Sequence, residues 1–369
     1  MPTTLVITND FPPTIGGIEA FVAQICELLG DVVVLTRRHP GARTADGTLP
    51  FPVHRHGRLL LPDRGTRRAA EALMIRHGAT RIIFGAAAPL GLLAPALRRA
   101  GATHLLAITH GHETWWARLP VSRAMLRRIG DNVDALSYIS GFTRAAIAPA
   151  LSPEARSAMV RLAPPVDITR FRPAGTGGAA RPTVVAAGRF IRQKGFDTLL
   201  EAWDLVLAAW PVERRSPELV LIGDGPLRQR LMAKAARLTQ SDCVRFAGPV
   251  PHRLMPALLA EGHVFALPVR TRFRGLNPEG LGMVFAEAAA AGLAVIAGDS
   301  GGTGDTLVPG ASGLLVQPDD PAGLAAVLLE LLTDLPRARA MGEVGRAHVA
   351  TSFSPTTTAA VLRQVLDLG

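Results

Sequence analysis

The chain has 369 residues, 48% of them hydrophobic, and carries a formal net charge of +10. That length predicts about two domains, and the hydrophobic content excludes a disordered chain. No apolar run reaches the ~18–20 residues that span a bilayer. The N-terminus lacks the basic region of a signal peptide, and Cys26 and Cys243 suit neither a disulfide framework nor a metal site. These features indicate a cytoplasmic protein.

The positive charge is concentrated in the first half. Residues 1–165 hold 19 basic and 11 acidic residues, and all but two of the 40 basic residues in the chain are arginine. The two lysines are Lys194 and Lys234. An anionic membrane, a nucleic acid or an anionic substrate would suit such a surface. A compositional bias towards arginine without function is the alternative.

Short apolar runs alternate with helix-period segments along both halves. In the first half, strands are predicted at 5–8, 32–36, 81–84, 104–109 and 135–139, and helices at 17–29, 67–77, 91–100 and 142–150, with Ser140 as an N-cap. In the second half, strands are predicted at 183–187, 218–222, 243–246, 264–268, 294–297 and 313–316, and helices at 196–210, 226–238, 253–261, 283–291 and 321–332. Residues 175–178 are a predicted linker.

This alternation predicts an α/β protein of two Rossmann-like domains with parallel sheets. Ligands of such domains bind where the carboxyl ends of the strands meet, so we expect a ligand in an interdomain cleft. The loops after the strands are therefore the places to look for chemistry.

The most informative loop carries Glu279, eight residues before Glu287. Glu287 lies in the apolar run Met-Val-Phe-Ala-Glu-Ala-Ala-Ala. Burying its charge costs several kcal/mol unless a polar group meets it. A row of hydroxyls on a nucleotide sugar would serve as that polar group.

Two loops of the first half also carry candidate residues. Gly16 and Gly17 precede a predicted helix, where backbone amides could approach a phosphate, although a tight turn is the plain alternative. They do not form the G-x-G-x-x-G pattern, which counts against NAD. His110, His112 and Glu113 suggest an active-site loop, with zinc as a weaker alternative because no third ligand follows.

Trp115 and Trp116 follow that loop and precede Arg118, Arg123, Arg127 and Arg128. Aromatic and basic side chains in this combination are typical of an edge that contacts a membrane. Packing of both tryptophans between helices is the alternative.

The strand at 183–187 runs into Gly188-Arg189, with Lys194-Gly195 beyond. Two cations at a strand end could neutralise a departing diphosphate. The chain has no aspartate-rich motif of the kind that holds a divalent ion, so we expect no metal requirement. The turns Gly223-Asp224-Gly225-Pro226 and Gly298-Asp299-Ser300-Gly301-Gly302 end two further strands, and each could be turn chemistry alone.

Together these motifs resemble the retaining glycosyltransferases of family 4, which have the GT-B architecture of two facing Rossmann-like domains. The resemblance rests on Glu279-x7-Glu287, Gly188-Arg189…Lys194-Gly195, Gly223-Asp224-Gly225-Pro226 and Pro165-Val166-Asp167…Phe171-Arg172-Pro173. The segments 8–18, 109–113 and 277–282 are similar to those of actinobacterial phosphatidylinositol mannoside mannosyltransferases, which use GDP-mannose and a lipid acceptor. The resemblance implies domains at 1–165, with the C-terminal helix 355–369, and at 166–354.

The resemblance also implies roles for individual residues. His110, Arg189, Lys194 and Glu279 would be catalytic, with His110 at the transferred sugar, Arg189 and Lys194 on the diphosphate and Glu279 on the sugar hydroxyls. The donor would further contact Gly16, Gly17, Gly223, Asp224, Gly225, Gly280, Leu281, Gly282 and Glu287, the last through the ribose. Asn9, Asp10, His112 and Glu113 are acceptor or loop candidates. Gln193 and Asp305 depart from the residues that relatives often carry.

The resulting prediction is a mannosyltransferase that acts on a lipid at the inner face of the membrane, with no cofactor, no metal and no nucleic-acid partner. UDP-glucose or UDP-N-acetylglucosamine as donor, a sugar-nucleotide epimerase and a basic nucleic-acid-binding protein are the alternatives. Against the last, aromatic residues make up only 5% of the chain and are not interleaved with the basic ones.

Overall fold

The computed structural model describes residues 3–14, 16–173, 181–238, 240–272 and 278–368. The chain divides into two units, Met1–Pro165 with Pro355–Gly369, and Val166–Ser354. The predicted linker at 175–178 and Asn277 lie outside the described residues. No helix among the described residues is long and apolar enough to cross a membrane.

The first unit is built on a seven-stranded parallel sheet. Its strands are β1 (Thr4–Thr8), β2 (Val32–Thr36), β3 (Val53–Arg55), β4 (Arg81–Phe84), β5 (His104–Ala107), β6 (Ala135–Tyr138) and β7 (Met159–Arg161), in the order β3-β2-β1-β4-β5-β6-β7. The five predicted strands are present. The two edge strands, β3 and β7, were not predicted, because each has three half-buried residues and no continuous apolar run.

Helices cover this sheet and bury its apolar side chains in two clusters. They are α1 (Gly17–Leu29), α2 (Ala42–Asp46), α3 (Arg64–His77), α4 (Ala94–Arg99), α5 (Glu113–Trp116), α6 (Pro120–Gly130), α7 (Gly141–Ile147) and α8 (Pro153–Ser157), with 3₁₀ turns at Leu90–Leu93 and Ala148–Ala150. Ser140 caps α7 as predicted. The C-terminal helix Pro355–Leu366 packs Leu362 and Leu366 into one of these clusters.

The second unit has a six-stranded parallel sheet of order β10-β9-β8-β11-β12-β13. Its strands are β8 (Thr183–Ala187), β9 (Glu218–Ile222), β10 (Val244–Gly248), β11 (Val264–Leu267), β12 (Ala294–Gly298) and β13 (Gly313–Val316). All six were predicted to within two residues at either end. Most of their residues are buried, which explains why the apolar runs were easy to recognise.

The helices of this unit are α9 (Phe196–Ala208), α10 (Arg228–Ala235), α11 (Met255–Leu259), α12 (Met283–Ala290), α13 (Pro321–Thr333) and α14 (Leu335–Ser352). Short 3₁₀ helices lie at Arg192–Lys194, Ser241–Cys243, His252–Leu254 and Thr303–Thr306. The first-unit helices α2, α5, α6 and α8 were not predicted from the sequence, and neither was α14. This helix carries alternating arginines, alanines and glycines rather than an apolar stripe, and Gly342 lets it approach the backbone at Gly292.

Candidate functional site

The loops that follow β8, β9, β11 and β12 leave the same edge of the second sheet, because all its strands are parallel. These loops and the first turns of α12 carry Arg189, Lys194, Glu279 and Glu287. We call them the donor cluster, because the resemblance predicts that they contact the donor. Within this cluster the parallel strands bring Lys194 and Glu279, which are 85 positions apart in the sequence, into direct contact.

Lys194 and Glu279 of this cluster form an ion pair. Lys194 Nζ lies 2.7 Å from Glu279 Oε2, and the side chains are 19% and 14% exposed. Lys194 reaches this position because the 3₁₀ turn Arg192–Lys194 ends at Gly195, whose φ is +72°. A Cβ at position 195 would overlap the carbonyl of Pro268 after β11. Only glycine allows the two loops to approach this closely.

The loop after β12 holds the backbone of Glu279. Gly302 N donates to Glu279 O at 2.8 Å, and Glu279 N donates to Ser300 Oγ at 3.4 Å. Gly301 has φ +62°, and a Cβ there would overlap the same Glu279 carbonyl. The loop 298–302, which the sequence alone could have explained as a simple turn, therefore helps to position Glu279.

Arg189 lies at the surface, and its side chain makes no ion pair or hydrogen bond with another described residue. The loop that carries it is bonded to the loop after β9, since Phe190 N donates to Asp224 O at 2.8 Å. Gly223 and Gly225 both have positive φ, and a Cβ at either would overlap or crowd the backbone of residues 188–190. These two glycines permit the contact between loops, and Asp224 Oδ1 accepts a 2.8 Å bond from Gly225 N within the turn.

Glu287 lies on the first turns of α12, a helix that begins after Gly282 with φ +81°. Its Oε1 lies 2.7 Å from His252 Nε2, and its side chain is 15% exposed. The sequence predicted that a polar group would meet the Glu287 carboxylate, and in this structure that group is His252. Leu281 is 3% exposed and lies in the core, whereas Gly280 is half-buried.

In the first unit, His110 is fixed in one tautomer. Its Nε2 lies 2.6 Å from the carbonyl oxygen of Gly85, so this nitrogen donates, and its ring packs edge-on against Phe21. Burial lowers the pKa of His110 below its ordinary value, although the nearby Glu113 opposes this shift. The imidazole is therefore neutral at pH 7, and Nδ1 is available as an acceptor.

Glu113 braces the loop that carries His110. Its carboxylate is fully buried, and the Oε2 atom accepts hydrogen bonds from the backbone amides of His110 at 3.0 Å and Gly111 at 3.1 Å. Its Oε1 lies 3.3 Å from Nε2 of His112, whose side chain is 41% exposed. Among the described residues, no group of three or more His, Cys, Asp and Glu side chains could hold a metal ion.

Asn9 holds the N-terminal loop in place. Its amide donates to Leu60 O at 2.9 Å and accepts from Leu60 N at 2.8 Å. Asp10 N donates to Thr8 Oγ1 at 2.9 Å. Gly16 is the extended N-cap of α1, where a Cβ would overlap the Glu19 carboxylate, and Gly17 faces open space.

The two tryptophans differ in their surroundings. Trp116 packs against the core of the first unit, whereas Trp115 is 40% exposed. Leu119, Val121 and Met125 are also exposed beside it in the sequence, together with the arginines of α6. Packing against other helices, the alternative from the sequence, therefore holds for Trp116, and membrane contact stays a prediction for Trp115.

Three polar residues of the second unit were not recognised as site residues in the sequence. Ser300 bonds Thr271 at 2.8 Å and supports Glu279, Arg270 joins Asp197 to Asp319, and His252 meets Glu287. The signal for Ser300 was its Gly-Asp-Ser-Gly-Gly loop. For His252 it was only a histidine placed shortly after a predicted strand.

A family profile described as "Glycosyl transferases group 1" matches residues 181–334, which include the whole donor cluster. The full chain is also 39% identical to the GDP-mannose-dependent alpha-(1-6)-phosphatidylinositol monomannoside mannosyltransferase of Mycobacterium tuberculosis, over 99% of this chain and 98% of that one. The chain belongs to the group 1 glycosyltransferases. The predicted family and enzyme class are thereby confirmed.

Further similarities agree with this glycosyltransferase family. A GDP-mannose-dependent monoacylated alpha-(1-6)-phosphatidylinositol monomannoside mannosyltransferase of Corynebacterium glutamicum is 38% identical over 95% of this chain and 94% of its own. The crystal structure of Anabaena Alr3699/HepE in complex with UDP matches with a TM-score of 0.80 at 18% identity, covering 99% of each chain. That match and the two parallel sheets confirm the GT-B fold prediction.

Proposed function

We propose that this glycosyltransferase transfers mannose from GDP-mannose to a phosphatidylinositol mannoside-type lipid, with retention of the anomeric configuration and without a metal ion. The observation that carries the proposal is the 39% identity, along 99% of the chain, to an enzyme named for that donor and that class of acceptor. The donor cluster provides the groups that such a transfer needs.

The diphosphate of the donor would be bound by Arg189 and Lys194. Arg189 makes no bond with another described side chain, and Lys194 contacts a single carboxylate, that of Glu279. On donor binding, Lys194 would move its contact from Glu279 to the diphosphate, and Glu279 would accept the sugar hydroxyls. Two fixed cations stabilise a leaving diphosphate as its charge develops.

We infer a front-face mechanism. A double displacement needs a carboxylate on the face of the sugar opposite the leaving group, and in our proposal Glu279 binds the sugar hydroxyls instead. In the front-face route the bond from the anomeric carbon to the diphosphate breaks, and the acceptor oxygen bonds to the same face. The acceptor proton passes to a diphosphate oxygen. The neutral imidazole of His110 carries no proton on Nδ1, so this nitrogen would accept a hydrogen bond from a hydroxyl of the transferred sugar.

A lipid acceptor requires contact with a membrane surface. Trp115 exposes 40% of its area, and Leu119, Val121 and Met125 near it are also exposed. Arg123, Arg127 and Arg128 are exposed on α6. Exposed aromatic and apolar groups beside arginines suit the interface of an anionic membrane, so we propose peripheral binding at the cytoplasmic face.

The experiment compares GDP-mannose, UDP-glucose and UDP-N-acetylglucosamine as donors. Each nucleotide sugar is first tested for thermal protection of the protein, and then for transfer to a phosphatidylinositol monomannoside in vesicles with excess EDTA. We expect protection and transfer with GDP-mannose and an alpha-mannoside product. Preference for a UDP-sugar would refute the donor, an inverted product would refute the mechanism, and loss of turnover in EDTA would refute metal independence.

A further inference from the structure

His252 contacts the carboxylate of Glu287 from outside α12. The two residues are 35 positions apart, and Nε2 of His252 lies 2.7 Å from Oε1 of Glu287. Because an ionised carboxylate can only accept, the proton lies on Nε2. The bond therefore exists in the neutral Nε2–H tautomer and in the imidazolium alike.

The position of His252 is set by the start of the second unit. Arg170 Nη2 donates to the His252 carbonyl at 2.9 Å, and the Phe171 ring lies 5.9 Å from the His252 ring. Asp167 in turn orders this segment, since its Oδ1 accepts bonds from Thr169 and from the amide of Arg170. The backbone and the ring of His252 are thus held by this segment at the start of the second unit.

This bond leaves one oxygen of Glu287 available. Among the described residues, Oε2 accepts no hydrogen bond, while Oε1 is occupied by His252. The terminal torsion of a glutamate is broad, so a free carboxylate rotates easily. Holding Oε1 restricts that rotation and presents Oε2 in one direction.

We propose that His252 is a positioning residue that orients the Glu287 carboxylate towards the vicinal hydroxyls of the donor ribose. The inference rests on the proposed function, in which Glu287 binds that ribose. A carboxylate that is oriented before binding loses less freedom when the diol arrives. Loss of His252 should therefore weaken recognition of the ribose hydroxyls rather than recognition of the base or the diphosphate.

A purely structural role predicts a different result. The side chain of His252 is 54% exposed, and ion pairs with such exposed partners contribute little to folding. If the bond served only to stabilise α12, its removal would change the unfolding transition and affect every nucleotide equally. Ribose and deoxyribose ligands separate the two roles.

The test measures dissociation constants by titration calorimetry for GDP and 2′-deoxy-GDP, and for UDP and 2′-deoxy-UDP. The proteins are the wild type, His252→Ala, His252→Gln, Glu287→Gln and the neighbouring control Arg253→Ala. We expect the wild type to bind each ribonucleotide at least about tenfold more tightly than its 2′-deoxy analogue. This is roughly the effect of one hydrogen bond to a charged group. His252→Ala should reduce this ratio several-fold, almost entirely through weaker ribonucleotide binding.

The amide N–H of Gln can replace the imidazole donor, so His252→Gln should restore most of the ratio, and Arg253→Ala should leave it unchanged. In steady-state assays His252→Ala should raise KM for the donor and leave kcat close to the wild-type value. An equal loss for ribose and deoxyribose ligands, or no loss, would overturn the inference.

Glu287→Gln separates failure of this inference from failure of the proposed function. If Glu287→Gln abolishes the ribose preference while His252→Ala retains it, only the role of His252 is wrong. If Glu287→Gln also retains the preference for ribose over deoxyribose, or if neither ribonucleotide binds the wild type, the proposed donor site is wrong. Both proposals are then refuted.

Discussion

Lys194 and Glu279 stand 85 residues apart in the sequence, yet their charged groups meet at 2.7 Å. The meeting depends on Gly195, which lets the loop after β8 approach the loop after β11, and on Gly301, which accommodates the Glu279 carbonyl. Each ion neutralises the other in a site that excludes most solvent. A bound diphosphate would take over the role of counter-ion for Lys194.

Replacement of Lys194 tests its role on the leaving group. Lys194→Ala should lower kcat by about 10²–10³-fold, the usual effect of removing one donor from a developing negative charge. Lys234→Ala is the matched control, because the only other lysine in the chain pairs with Glu201 at the surface. Transfer rates under saturating donor measure the effect. Equal rates for the two variants would contradict the assignment.

The ion pair itself can be measured with a double-mutant cycle. Lys194→Met and Glu279→Gln should each destabilise the second unit, because each leaves a mostly buried partner without its counter-ion. The double variant should be more stable than the sum of the single effects, by about 1 kcal/mol or more. Urea unfolding at pH 7 gives the free energies of unfolding of the wild type and the three variants. Additive effects would show that the pair is not coupled.

Gly301 should be more sensitive to substitution than Gly310, another glycine with positive φ. Gly301→Ala combines an unfavourable φ of +62° with overlap on the Glu279 carbonyl, whereas Gly310→Ala has φ +79° and open space. We expect about 1–2 kcal/mol of destabilisation for Gly310→Ala and about 3 kcal/mol or more for Gly301→Ala. Only Gly301→Ala should also lower kcat. Similar values for both variants in unfolding and activity would argue against the backbone contact.

The pKa of His110 predicts how stability depends on pH. Burial lowers the pKa of folded His110, so below pH 6.5 the unfolded chain binds a proton that the folded chain does not. The stability that neutral His110 contributes is complete above that value and is lost as pH falls towards the folded pKa. The free energy of unfolding should thus fall more steeply from pH 7.5 to 5.5 in the wild type than in His110→Gln.

Two other histidines, His54 and His263, also have a pKa lowered by burial. They are present in both proteins of this comparison, so their contributions cancel in the difference. Parallel curves for the wild type and His110→Gln would mean that His110 does not remain neutral in the folded protein.

Trp115 and Trp116 should separate membrane binding from stability. Trp115→Ala should weaken binding to phosphatidylinositol vesicles several-fold without changing Tm, because its ring is 40% exposed. Trp116→Ala should instead lower Tm, since that ring packs against the core. Vesicle sedimentation at low salt and thermal unfolding measure the two effects. Unchanged vesicle binding in Trp115→Ala would remove the support for this surface.

Much of the fold was readable because the strands of both sheets are continuous apolar runs. The five central strands of the first unit and all six of the second were predicted. The edge strands β3 and β7 and the helices α2, α5, α6, α8 and α14 were not. Short edge strands are half-buried, so they carry no apolar run to detect. Helix α14 packs through small residues rather than through a wide apolar stripe.

For the site, the sequence by itself determined which residues are the candidates for the chemistry. Glu279, Glu287, Arg189 and Lys194 stand in local motifs, and a charge inside an apolar helix is visible in one dimension. Their pairing was decided only by the tertiary structure, because parallel strands deliver distant loops to one edge of a sheet. The sequence posed the question of what meets Glu287. Only the folded chain shows that this residue is His252, because the two residues are 35 positions apart and no local pattern in the sequence links them.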